Sequence, residues 1–532
     1  MARAINGTID GPLILSLTDP LALAGSDDPL IITSTGTITS TGLADGIDGA
    51  AATAWTIFNN GVVSATAGWA IALAGAGFLY NSGVISGGYE GGVEIGGSGV
   101  VVNEGWINAT GARPSDISIM IDDDGVVKNQ GTIGRIGGGA TGVQINGDAV
   151  VTNQGSIFGG ANCVSIGGIG SVINQGFIGG NDLFGVSLMD GGSVTNLGTI
   201  SGDHVAILGT ASVTNFGMIW GGITGVDLKE GSITNIGTIS SSVGSAVILD
   251  EGSVTNIGIM SAGGFEPSVI LGDGEVVNQG SILGGVEVLA GGSGTLINQG
   301  LISHSLSQPG ISVSFAPTTA NNLLIIKPGA VFDGAAEATS GTNSAIELAR
   351  GNGAISGIGE GQFDGFDTLK ADFGANWTLN GANAVGTALN DGSLGVAGSL
   401  DVTTAVDPNS VGLFQLDGAS TLEIAAALGI SCKISFATGS DLLIDNFGLF
   451  GDNVGTSSYA GPLLEKFGGS TVDLKSFSIA GLDPSFSAPT GLLQLTNSAS
   501  QAATLEFQTA SLGAGTFHFI SDGGSGVLIT HS

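Results

Sequence analysis

Cysteine is nearly absent: Cys163 and Cys432 are the two in 532 residues, too few for a disulfide framework. Basic residues are scarce as well. Eleven lysines and arginines stand against 45 acids, a formal net charge of −34, and the four arginines, Arg3, Arg113, Arg135 and Arg350, are scattered. Without a basic patch nothing can meet phosphates, so nucleic acid is excluded as a partner, and an anionic membrane surface is repelled for the same reason. Divalent cations would be attracted.

Histidine and tyrosine are rare too: His204, His304, His518 and His531, with Tyr80, Tyr89 and Tyr459. They lie far apart in sequence and outside any acid/base motif. No zinc-ligand spacing, nucleophile elbow or phosphate loop accompanies them. Polysaccharide lyases, hydrolases and epimerases, which also use β-helices, need paired carboxylates or calcium with a base, clustered on one face. The expectation is therefore not an enzyme, with no catalytic, cofactor-binding or metal residue assigned. His204 replaces a small residue within a coil and is expected at a surface or turn position.

Long hydrophobic runs are missing. The most apolar stretch, Trp69 to Tyr80, is short and broken by Gly75 and Gly77, so no transmembrane segment is expected. Residues 1–10 lack the basic-then-apolar layout of a secretory signal, and three tyrosines are too few for the aromatic girdles of an outer-membrane barrel. A G-X-Y register is absent despite 97 glycines, which excludes collagen. With 11% charged residues and a mean hydropathy of +0.42, the chain is apolar enough to bury a core rather than stay disordered.

What the chain does have is a beat. The tripeptide Asn-x-Gly recurs at Asn59, Asn81, Asn103, Asn129, Asn153, Asn174, Asn196, Asn215, Asn235, Asn256, Asn278 and Asn298, and Ser34-Thr35-Gly36 has the form of one earlier station. Such a period marks a solenoid. Each repeat holds three short stretches with apolar residues alternating with small or polar ones, as in Ser193–Ile200 followed by Gly202–Leu208. That is strand patterning with one face buried, and the L-x-x-L-x-L framework of leucine-rich repeats is absent. The expected fold is all-β, a right-handed parallel β-helix of about 20–22 residues per coil, with coils stacked at roughly 4.8 Å.

In that fold the asparagine is expected at a sharp turn, because it accepts left-handed backbone angles, with the glycine relaxing the same turn. Stacked asparagines can also hydrogen-bond from coil to coil as a ladder. Cys163 stands where neighbouring coils have Gly142 and Gly185, and both cysteines are expected as small buried residues. About twelve coils would separate them, on the order of 60 Å at the strand spacing.

Regular coils are expected over residues 1–315. Over 316–532 the beat gives way to a looser series of β-prone segments, including Asn376–Leu379, Leu394–Val402, Ser420–Ala425 and Leu442–Asp445, separated by turn residues and ending in a cap.

Several segments carry a family resemblance. The repeats are similar to the passenger β-helix repeats of bacterial surface adhesins. Gly359–Phe366 with Trp377–Gly381, Phe467–Leu474, Phe517–Phe519 and Asp522–Thr530 resemble the C-terminal parts of alphaproteobacterial proteins exported by type I secretion. The resemblance implies an extracellular, cell-surface protein exported on an uncleaved C-terminal signal. It departs from the pattern in lacking the G-G-x-G-x-D calcium nonapeptide, so no cofactor is required; Ca2+ stays open through acidic clusters such as Asp122-Asp123-Asp124, although neighbouring residues on a strand would point to opposite faces. The function expected is a secreted structural protein that assembles with itself into a layer or filament. The alternatives are an adhesin binding glycans or a host surface and, third, a polysaccharide lyase- or epimerase-like enzyme.

Overall fold

A computed structural model of the chain describes residues 2–15, 27–111, 113, 116–135, 140–180, 183–304, 310–316, 321–339, 343–427, 431–451 and 459–532. It is a β-solenoid of parallel stacked coils, about 17 turns in all. Two compact units divide the chain. The first comprises residues up to Asp273 with Gln279–Val286; the second comprises Gly274–Asn278, Glu287–His304 and the described residues that follow.

A coil of the first unit has three strands. Gly77–Asn81 ends in the ladder asparagine, Val84–Gly87 forms the side strand, and Gly91–Ile95 returns the chain to the next coil. Each pairs in parallel with its counterpart one coil on: Leu79 with Val101, Ile85 with Ile107, Val93 with Ile119. Because strand side chains alternate, one residue in two points inward. The inward columns are β-branched and aliphatic, for example Ile57, Leu79, Val101 and Val127, or Val63, Ile85, Ile107 and Ile133, all fully buried. Farther along, return strand and asparagine strand merge, as in Val205–Asn215 and Thr224–Asn235.

The ladder forms as expected. Nδ2 of each asparagine from Asn59 to Asn235 donates to Oδ1 of the next at 2.7–2.9 Å, and Asn278 donates likewise to Asn298. The turn argument does not hold. None of these asparagines has a positive φ, nor do the glycines two residues on. The asparagines are buried strand ends. The glycines are required by close stacking: a Cβ on Gly83 would lie 2.1 Å from the Gly61 carbonyl oxygen, and one on Gly105 2.1 Å from that of Gly83.

The Ser34-Thr35-Gly36 station is also corrected. Asn59 aligns with Ile32, and only Gly36 keeps its place, its carbonyl 2.2 Å from where a Cβ on Gly61 would be. With no amide below it, Asn59 Oδ1 accepts from Gly61 N–H at 3.1 Å.

In the second unit the same column continues in register as Asn298, Ile326, Leu348, Ala371 and Asn390. Aliphatic positions there are joined by large buried rings, among them Phe414, Phe467 and Phe507. The cap is antiparallel. Val472–Leu474 pairs with Val527–Ile529, and Asp483–Ser487, Leu492–Thr496 and Ala502–Phe507 form a meander that joins the stack through Leu463 and Leu464.

Candidate functional site

The rare residues of the sequence are not brought together. In the first unit His204 is exposed in a bend, as expected; Tyr80 donates to Glu104 Oε2 at 2.6 Å; and Tyr89 lies under the Arg113 guanidinium, 5.4 Å from its ring centre. The bond to Glu104 pushes the Tyr80 hydroxyl above its ordinary 10.0, away from a catalytic range. In the second unit His304 sits 3.9 Å from Asp333, His518 is exposed, His531 packs edge-on against Phe517, and Tyr459 donates to the Pro462 carbonyl.

Cys163 occupies the column of Gly142 and Gly185, as expected, and is fully buried. Cys432 is buried too, which pushes its thiol up to about 12.

Asp122-Asp123-Asp124 lies in a turn rather than on a strand, and two of its carboxylates knit coils together. Asp122 Oδ1 accepts from Asn146 Nδ2 at 3.2 Å, and Asp124 Oδ1 from the Asp148 N–H at 2.9 Å. Asp148 Oδ1 in turn accepts from Ile169 N–H at 2.8 Å. Beside them runs a trough of about 670 Å3 walled by Val100, Val126 and Val150. Among the described residues no group of three His, Cys, Asp or Glu is placed to hold a metal ion, and no helix is long and apolar enough to cross a membrane.

Sequence reasoning missed a second polar column. Ser420, Ser440 and Ser470 are buried at the ends of turns in the second unit; Ser420 and Ser440 donate to carbonyls three residues back and Ser470 to Ala437 of the coil before. It also missed that Asn390-Asp391-Gly392 repeats the asparagine geometry, with Nδ2 on the Leu413 carbonyl and Oδ1 on Gly392 N–H. Gly-Ser before a β-prone segment, at Gly439-Ser440 and Gly469-Ser470, was the available signal for the serines.

The distribution of charge gives the outer surface its chemistry. In the first unit twelve successive side strands, from Thr37–Ser40 to Ser281–Leu283, contain no Asp, Glu, Lys, Arg or His. Their outward residues are hydroxylic or apolar, such as Thr37, Ser86, Trp106, Thr199, Met218 and Ser240. Charged residues of these coils stand in the turns and on the other two strands, Glu94, Lys128, Asp227 and Glu251 among them.

These features define a class, the parallel β-solenoid repeat proteins, whose outer faces are the parts available for interaction. No protein-family model matches the chain, and no curated protein matches it.

Proposed function

We propose that this chain is a secreted, non-enzymatic structural protein that assembles with itself into an extracellular layer or filament at the cell surface. The carrying observation is the run of twelve uncharged side strands in a chain with a net charge of −34. Like-charged subunits repel, and the cost of bringing them together is least where no carboxylate must be desolvated. A uniform face repeated at the coil spacing also presents the same chemistry many times, which suits extended contact between copies better than recognition of one small ligand.

Electron microscopy of the purified protein, with and without calcium, tests this. Regular arrays or filaments are expected; isolated particles under every condition would overturn it. Export on a C-terminal signal belongs to the same proposal. Since Val527–Ile529 is also part of the cap, deletion would confuse unfolding with retention. The cleaner experiment appends residues 459–532 to a carrier in a host with type I secretion, and carrier in the medium is the expected result.

A further inference from the structure

The middle residue of Asn-x-Gly forms its own outward column. It is polar at Asn60, Ser82, Gln130, Gln154 and Gln175 and charged at Glu104, four coils before Leu197; Ser82 Oγ donates to Asn60 Oδ1 at 2.7 Å and Gln154 Nε2 to Gln175 Oε1 at 3.1 Å. In the next four coils it turns apolar: Leu197, Phe216, Ile236 and Ile257. Backbone bonds hold these four in line, from Phe216, Ile236 and Ile257 N–H to the asparagine carbonyls one coil back, each at 2.8 Å. Met218 and Ile259, which open the adjoining side strands, extend the ridge. All six are between 43% and 51% exposed.

At half exposure each such side chain offers on the order of 80 Å2, given about 150–250 Å2 for a whole aromatic residue. Six make a patch of about 500 Å2, the size that on a soluble monomer marks an interaction site, and its rim of Thr199, Ser201, Thr238, Ser240 and Ser261 is polar but uncharged.

We propose that the patch is the docking site for a second copy of this chain, ridge against ridge, about a two-fold axis running along the stack. The proposal rests on the self-assembly reading above and names its contact. Charge selects the occupant. Of the acids of these coils, Asp227, Glu230, Asp250 and Glu251 stand on the merged return and asparagine strands and Asp203 in the turn after a side strand; none stands on the side strands themselves. A second copy therefore meets the ridge with a surface equally free of charge, whereas an anionic lipid surface is repelled by the chain as a whole. An axis along the stack through the ridge sets each coil opposite its own counterpart, so that Leu197, Phe216, Ile236 and Ile257 each meet their own copy. Two such patches of about 500 Å2 bury about 1,000 Å2, the size at which specific interfaces begin.

Sedimentation equilibrium of the full chain near 0.15 M salt tests the contact. The unaltered protein is expected to associate; the double variant Phe216→Lys, Ile236→Lys is expected to associate at least about tenfold more weakly with an unchanged β-sheet circular dichroism spectrum; and Phe373→Lys, at an exposed ring of the second unit, is expected to match the parent. If the parent associates and the double variant does so equally, the patch is wrong and self-assembly stands. If the parent stays monomeric at every concentration reached, both fall. Thiol cross-linking supplies the axis without relying on the charged variants. Thr132→Cys and Thr238→Cys, five coils apart in the side sheet's first column, are each expected to link to themselves with a short bifunctional reagent, with Cys163 and Cys432 buried out of reach. Linking at neither position overturns the docking, and linking at one alone overturns the axis.

Discussion

Asn235 donates from Nδ2 to Asn256 Oδ1, to the Gly237 carbonyl and to the Ile259 carbonyl, and its Oδ1 accepts from Asn215, all at 2.9–3.2 Å. Asn235→Val leaves buried partners on both sides without that amide, at about 1–3 kcal/mol for an orphaned group, so a total of about 2–4 kcal/mol is expected. Asn298→Val should cost less, because the next position is Ile326 and its amide reaches the Val331 carbonyl only at 3.4 Å. Urea unfolding with hydrogen exchange at the altered coil checks the order; equal losses would dismiss the ladder as a stabilising element. The paired glycine makes a separate prediction. Gly217→Ala places a methyl 2.1 Å from the Gly198 carbonyl oxygen and should cost about 1–3 kcal/mol, whereas Gly7→Ala meets nothing within 4 Å and should be near neutral. Comparable unfolding midpoints for the two variants would contradict the stacking argument.

Among the elements, the return strands of the first unit hold two acids that titrate abnormally. Burial raises the Glu94 carboxyl above its ordinary 4.5, and Asp122, Asp45 and Glu90 push the same way; burial and then Asp250 raise Asp227. A raised carboxyl binds its proton more tightly in the folded chain than in the unfolded one. Stability is therefore lowest above the raised value and increases as the pH falls through it toward the ordinary one. Thermal unfolding at pH 7 and pH 5 should show a higher midpoint at pH 5, and Glu94→Gln should raise the pH 7 midpoint while shrinking the difference. A midpoint that falls steadily on mild acidification would show that these groups are stabilised as carboxylates instead.

For the molecule as a whole, long-range repulsion opposes contact between copies, while the proposed contact itself carries no ion pair. Raising salt from about 0.01 to 0.15 M shortens the screening length from about 30 to 8 Å, so association should tighten. Weakening with salt, read by light scattering, would point to ion pairs at the interface. Chelators should leave the β-sheet circular dichroism intact, because the coils are held by apolar columns and backbone ladders. Loss of that signal would make calcium a folding ligand.

The repeat period, the strand alternation and the inward columns were legible in the sequence because each is local: three short stretches and one asparagine per coil suffice to reveal them. The ladder followed from the same spacing. The backbone of the asparagine did not, since turn chemistry and close stacking both call for Asn-x-Gly, and only the φ angles and the 2.1 Å approach at Gly83 separate them. Ile32 as the position before Asn59 was hidden by two extra residues between it and Gly36, and the serine column by coils of unequal length. The cap joins Leu474 to Val527 across more than fifty residues, a pairing no local pattern encodes. The run of uncharged side strands and its apolar ridge arise the same way. Composition established that the chain is strongly acidic, but the coils vary from 19 to 26 residues, so which side chains share a face was decided by the strand register of the folded stack.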